Sequence, residues 1–256
     1  MYGYPVRKLQ AGPSRSVRAL RVVSFPESRR AARPMTVESK LSPPGQREDW
    51  VRRHGLIQRL TWSRARVVLL EAPAGYGKTT LAEQWRASMA GRRPFAWLSL
   101  DPGDNDPRRL WSQIVLAVQC ACPDLQAERI LRDLGSHHPD IAGAVLPGLI
   151  NELDALTRPV TLVLDGYEVI RNPRCHEQIG ALLLHLPAPV QVALLSRHDP
   201  PLPLARLRAA GEMTELRAPE LKFTPAETAA LITAVSGPGL SQPDLSLLAE
   251  RTEGWP

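Results

Sequence analysis

At 256 residues with 43% hydrophobic and 23% charged content, the chain can bury a full core, enough for one nucleotide-binding-sized domain with an appendage. Its net charge of +6 does not describe the body: residues 1–34 hold eight Arg and Lys against Glu27 alone, and the remainder holds 24 basic and 25 acidic side chains. This distribution removes the charge argument for nucleic-acid binding by the body, and no apolar run approaches the roughly 20 residues of a membrane helix, so a cytoplasmic protein without a membrane partner is expected.

Residues 1–38 form a basic leader, rich in Arg, Ser and Pro and poor in acid. That composition suits an organellar transit peptide, a disordered nucleic-acid-binding arm or an extension upstream of the true start. Disorder or a misplaced start is the expectation, because Met35 opens the first stretch with folded-protein character. The main domain is expected over 39–222, beginning with a short helix around 50–60. VVLLEAP at 67–73 is a continuous apolar run, as in a parallel strand buried on both faces. After AGYGKT comes a helix with Leu81, Trp85 and Met89 on one face and Gly91 as its cap. PFAWLSL (94–100) is a second strand, and the turn DPGDNDP (101–107) leads into a helix opening at Pro107.

Residues 123–140 are mixed in sequence and assigned to no element, and 141–156 are expected to be helical. PVTLVLDG (159–166) is a third strand, CHEQIGALLLHL (175–186) a helix, and VQVALLSR (190–197) a fourth strand. LARLRAAG (204–211) follows as a short helix and EMTELR (212–217) as an edge or fifth strand. Alternating strands and helices predict α/β architecture, a mostly parallel sheet with helices on both faces. From Phe223 the strands stop. TPAETAALITAVS and DLSLLAERTEG predict two helices, the start of a small helical subdomain over 223–256 that the carboxyl terminus leaves incomplete.

The strongest chemical signal is APAGYGKTT: Ala72, Pro73, Ala74, Gly75, Tyr76, Gly77, Lys78, Thr79 and Thr80. Strand, glycine-rich turn, Gly-Lys-Thr and helix, in that order, make a phosphate-binding P-loop. The loop amides form an anion nest, Lys78 is placed for the β- and γ-phosphates, and Thr79 for Mg²⁺. The glycine expected five residues before Gly77 is replaced by Ala72. Asp165 ends an apolar strand, where an acid holds magnesium directly or through water beside a P-loop, although a strand-terminal Asp alone is also a common turn former. Arg197 follows another strand, at the sheet end where such folds bind ligands, and is a candidate γ-phosphate sensor.

Cys120, Cys122 and Cys175 cannot pair off fully, and Cys-Ala-Cys lacks zinc-site spacing, so reduced, partly buried thiols are expected. His137-His138-Pro139-Asp140 is read as a solvated loop.

The blocks APAGYGKTTLAEQW, AWLSLDPGDNDPRRLW, LVLDGY, LLSRHDPPLPLARLRAAGEMTELRAPELKFTPAE and RTEGWP, in this order, resemble the amino-terminal ATPase module of the large LuxR-type transcriptional activators of the MalT type, members of the STAND class of P-loop ATPases. The resemblance covers roughly residues 39–256. It implies an ATP/ADP- and Mg²⁺-dependent switch that self-associates when opened by inducer and ATP. It further implies DNA contact only through a carboxyl-terminal helix-turn-helix, expected to be absent from this sequence. Carried over, Asp165 is the Walker B acid and Arg197 the sensor, and Gly254-Trp255-Pro256 fits a motif whose proline meets the adenine. One departure bears on chemistry: relatives read Asp-Asp-Tyr-His where this chain reads Asp165-Gly166-Tyr167-Glu168. Without the second acid, weak or absent hydrolysis is expected. An exposed loop glutamate is the ordinary reading of Glu168; if the strand continued extended past Asp165, Glu168 would share the face of residue 166 and stand in for the missing catalytic acid. The alternative function is a stand-alone P-loop ATPase or phosphotransferase.

Overall fold

The computed structural model describes residues 37–45, 50–236, 251 and 254, which fall within a compact unit spanning Met35–Pro256. Five strands form one sheet: β1 (Val67–Glu71), β2 (Phe95–Ser99), β3 (Val160–Asp165), β4 (Val190–Ser196) and β5 (Met213–Arg217). All pairings are parallel, in the order β2-β3-β4-β1-β5, so β4 separates the two strands that carry the phosphate loop and Asp165. Their carboxyl ends are level: Asp165 lies opposite Ser99 on one side and Leu195 on the other, and Leu195 lies opposite Leu70.

The apolar runs alternate between two cores, which is why they read as continuous. Leu69, Leu98, Leu162, Leu164, Val192 and Leu194 face one core, and Val68, Leu70, Trp97, Val163, Ala193 and Leu195 the other. The described residues also form α1 (Val37–Lys40), α2 (His54–Trp62), α3 (Lys78–Ser88), α4 (Pro107–Ala121), α5 (Ala127–Gly135), α6 (Leu146–Asp154), α7 (Pro173–Leu184), α8 (Leu204–Ala209), α9 (Ala218–Leu221) and α10 (Pro225–Ser236). Helices α4 to α8 supply buried residues to the first core, and α2, α3 and α9 to the second. The stretch 123–140, mixed in sequence and assigned to no element, contains α5, and Ile141–Val145 winds as a π turn leading into α6.

Local chemistry sets the helix starts. Asp106 accepts the Arg109 N–H at 3.0 Å with Pro107 at the first position of α4, and Asn172 caps α7 in the same way, with Pro173 following.

The DPGDNDP segment is more than a turn. Asp104 is fully buried and pairs with the buried Lys40 ammonium at 2.5 Å, with Arg109 Nε at 3.2 Å and with the Asp101 N–H at 2.9 Å. Asn105 accepts the N–H groups of Arg171 (2.6 Å) and Asn172 (3.0 Å) and donates to the Val169 carbonyl at 2.9 Å. The segment after β2 thereby holds the segment after β3.

Beyond the sheet, Arg53 ties the lead-in to the helical part. Its guanidinium bonds Glu227 and the carbonyls of Leu221 and Lys222, each at 2.9 Å, and lies 4.8 Å from the Phe223 ring centroid. Gly254 adopts φ 72°, and its carbonyl accepts the Phe223 N–H at 2.6 Å. A Cβ there would stand 2.6 Å from the Phe223 carbonyl oxygen, so only glycine fits. The expected second helix of the subdomain and Pro256 lie outside the described residues, apart from Arg251 and Gly254.

Candidate functional site

The site forms where β1 turns into α3. Gly75 (φ 84°) and Gly77 (φ 68°) occupy left-handed backbone that a side chain would strain. Ala72, where the motif calls for glycine, donates its N–H to the Ser196 carbonyl at 3.2 Å and buries its methyl in the core beneath α3. The missing glycine is thus replaced by a residue that prolongs strand packing. Lys78 Nζ donates to the carbonyls of Ala72 (2.6 Å) and Pro73 (2.9 Å), so the loop holds the ammonium against itself. Burial chiefly lowers the Lys78 pKa; Arg197 adds to this, and Glu168, Asp165 and Glu71 oppose it.

Alternation along β3 explains how Asp165 reaches the loop. Val163 faces the core beneath α3, and Asp165, two residues on, points to the same side. Thr79 Oγ1 donates to the Asp165 carboxylate, with its two oxygens at 3.0 and 3.1 Å. Burial pushes the Asp165 carboxyl up to about 6, with Glu168 adding to the rise and the Thr79 bond, Lys78 and the Gly166 N–H opposing it. A hydroxyl and a desolvated carboxylate are the oxygen donors a hard divalent cation takes, so Thr79 and Asp165 fit Mg²⁺.

The raised Asp165 value gives a pH prediction. Folded Asp165 retains its proton between its ordinary value of 3.8 and about 6, where the unfolded chain has lost it. Stability from this group therefore falls as pH rises through that window and stays low above it. Asp165→Asn should stabilise the nucleotide-free protein near pH 8 by up to about 3 kcal/mol and give little gain near pH 4. Urea unfolding at both pH values checks this; an equal shift at both would show that the carboxylate charge is not responsible.

Glu168 arrives by a different path from the one expected. The strand does not continue extended: it stops at Asp165, Gly166 turns left-handed (φ 80°, ψ 35°), and Tyr167–Val169 forms a 3₁₀ turn. The turn is anchored by the buried Tyr167, whose hydroxyl lies 3.1 Å from His176 Nδ1. That turn carries the Glu168 side chain to the pocket, where Oε1 pairs with Arg197 Nε at 2.7 Å. The other oxygen, Oε2, is buried without a hydrogen-bond partner.

The structure brings Ala74, Gly75, Tyr76, Gly77, Lys78, Thr79, Thr80, Asp165, Glu168 and Arg197 around one cavity of about 500 Å³. Ala72 and Pro73 do not line it; their carbonyls hold the Lys78 ammonium. Arg197, just past β4, is 60% exposed, leaving its guanidinium at the cavity mouth. Ser99 and Leu100 also line the cavity, and sequence reasoning missed them. A serine ending a strand carries no signal by itself; its place follows from the pairing of β2 beside β3.

HTH-type transcriptional regulator MalT of Cronobacter sakazakii is 34% identical to this chain over 228 residues, which is 86% of the chain and 24% of that regulator. MalT of Serratia proteamaculans matches equally well, 34% over 224 residues with the same coverage. This chain is a homologue of MalT-type regulators. It spans about a quarter of the length of the MalT relatives it matches. No protein-family model matches the sequence. A Walker-type ATPase of Pyrococcus abyssi aligns over 84% of this chain and 67% of its own with a TM-score of 0.50 at 13% identity, a likeness of fold. The MalT-like segment is therefore an α/β unit with P-loop ATPase architecture.

Proposed function

We propose that this chain is the ATP-binding regulatory module of a MalT-like transcriptional regulator, a STAND-type nucleotide switch with slow hydrolysis. One observation carries this: Lys78, Thr79 and Asp165 meet at one end of a parallel sheet in a chain that matches MalT over 86% of its length. In this mechanism the loop amides and Lys78 hold the nucleotide phosphates, and Arg197 senses the γ-phosphate. Mg²⁺, held by Thr79 and Asp165, would neutralise phosphate charge. ADP keeps the module closed; inducer and ATP open it and promote self-association. DNA is reached through a helix-turn-helix, the element named in the description of the relatives, and not through the P-loop unit.

The test is titration with fluorescent ADP in the presence of Mg²⁺. Lys78→Ala should bind roughly 10- to 100-fold more weakly, the cost of one or two charge-assisted hydrogen bonds, with an unchanged unfolding midpoint. Equal affinity would remove the P-loop assignment.

A stand-alone P-loop ATPase or phosphotransferase is the second reading, favoured by the presence of Glu168 in the wall of the P-loop cavity. Retention of ADP with few turnovers supports the switch; sustained turnover by the isolated chain, or transfer to a small acceptor, supports the enzyme.

A further inference from the structure

A second cavity, of about 670 Å³, lies at the opposite end of the sheet, where β2 and β3 begin and α3, α4 and α6 end. The six residues of β3 run from this edge to Asp165, roughly 20 Å of extended chain, and the two cavities share no lining residue. The size is that of a small-molecule site, and nothing in the phosphate chemistry uses it.

The charges in the wall are unequal in environment. Arg86 is neutralised by Glu83, with contacts of 2.6 and 2.8 Å. Arg93 is half-buried, and its guanidinium donates at 2.8 Å to the Gln191 amide oxygen, with no carboxylate partner among the described residues. Gln191 is buried, and its own amide N–H donates to the Ala65 carbonyl at 2.7 Å, which fixes the orientation of that oxygen. Burial lowers the Arg93 pKa, the mark of a desolvated cation without a compensating charge. Arg158 stands exposed at the mouth and, among the described residues, donates only to the Gly91 carbonyl, at 3.2 Å. Two acids share the wall and do not pair with either arginine: Asp124 is exposed to water, and Glu152 accepts the Gln126 N–H at 3.1 Å. Phe95, whose ring also meets Trp85 edge-on at 5.0 Å, and Leu156 are apolar residues of the wall.

We infer that this cavity binds a small organic anion: a carboxylate recognised by Arg93 and Arg158, with an apolar body about the size of one ring against Phe95 and Leu156. Two guanidinium groups can take a carboxylate through charge-assisted hydrogen bonds, which supplies the anion that Arg93 lacks. The acids in the wall disfavour a second negative charge on the same ligand.

The probe is benzoate, titrated into the full-length ¹⁵N-labelled chain and followed by amide shifts. Saturable shifts are expected at Gly91, Phe95 and Thr157, with Gly75 and Gly77 unmoved and a dissociation constant in the millimolar range. Benzamide, the neutral isostere, should bind about tenfold more weakly or worse. Arg158→Gln should weaken benzoate by about tenfold, and Ala155→Trp, which fills the mouth from an exposed position, should abolish the shifts. Both positions are exposed, so neither variant should threaten the fold. Equal binding of benzamide, shifts confined to Gly75 and Gly77, or benzoate affinity unchanged in both variants would each overturn the assignment.

Discussion

Glu168→Gln should lower ATP turnover by about 10²- to 10⁴-fold and leave Mg-ADP affinity within about threefold, the signature of a lost general base and not of a lost binding group. The expectation rests on placement. Glu168 lines the cavity that holds Lys78 and Asp165; one carboxylate oxygen is held by Arg197, and the other is buried with no hydrogen-bond partner among the described residues. Gly166, where the family resemblance calls for an acid, cannot simply be replaced by one. Its φ of 80° means that an aspartate would carry left-handed strain of about 1–2 kcal/mol, although a Cβ would meet only the Leu100 carbonyl at an ordinary 3.7 Å. Steady-state phosphate release and equilibrium nucleotide titration on the same preparation decide the matter. Turnover unchanged in Glu168→Gln would remove Glu168 from the chemistry and leave a switch without a base.

Asp104→Ala should destabilise the protein by about 3 kcal/mol or more, seen as a lower urea midpoint at unchanged slope. The carboxylate is fully buried, and its loss leaves the buried Lys40 ammonium with Asp101 alone, 3.2 Å away. The Asp101 N–H loses its acceptor as well. Asp104→Asn, which keeps an acceptor and the shape, should cost less than the alanine. The effect should also reach the site, because the neighbouring Asn105 holds Val169 and Asn172 on either side of the turn that ends in the α7 cap. A loss below about 1 kcal/mol would show that this network is a solvated surface contact, contrary to its burial.

What could be read along the chain was what depends on near neighbours. A buried parallel strand is a run of apolar residues whichever strands flank it, and a P-loop is a strand, a turn and a helix joined within 22 residues, Val67–Ser88. Asp165 was visible for the same reason, as an acid closing an apolar run. Helix α5 went unread although its spacing was present: Ala127, Ile130, Leu131 and Leu134 recur at i, i+3, i+4 and i+7, and that face enters the core.

The amino-acid sequence by itself determined the P-loop, the strand–helix alternation and the acid at the end of β3, because each is written in local spacing and hydrophobicity. Tertiary structure alone decided the order β2-β3-β4-β1-β5, the burial of Asp104 against Lys40, and the meeting of Glu168 with Arg197. Each of these joins residues separated by 29 or more positions, and which distant groups meet depends on how the helices cover both faces of the sheet. Glu168 shows the difference most clearly: an extended strand would have aimed it by alternation, and the left-handed turn at Gly166 delivers it instead. Backbone freedom at one glycine, and not the period of the strand, puts the carboxylate in the wall of the P-loop cavity.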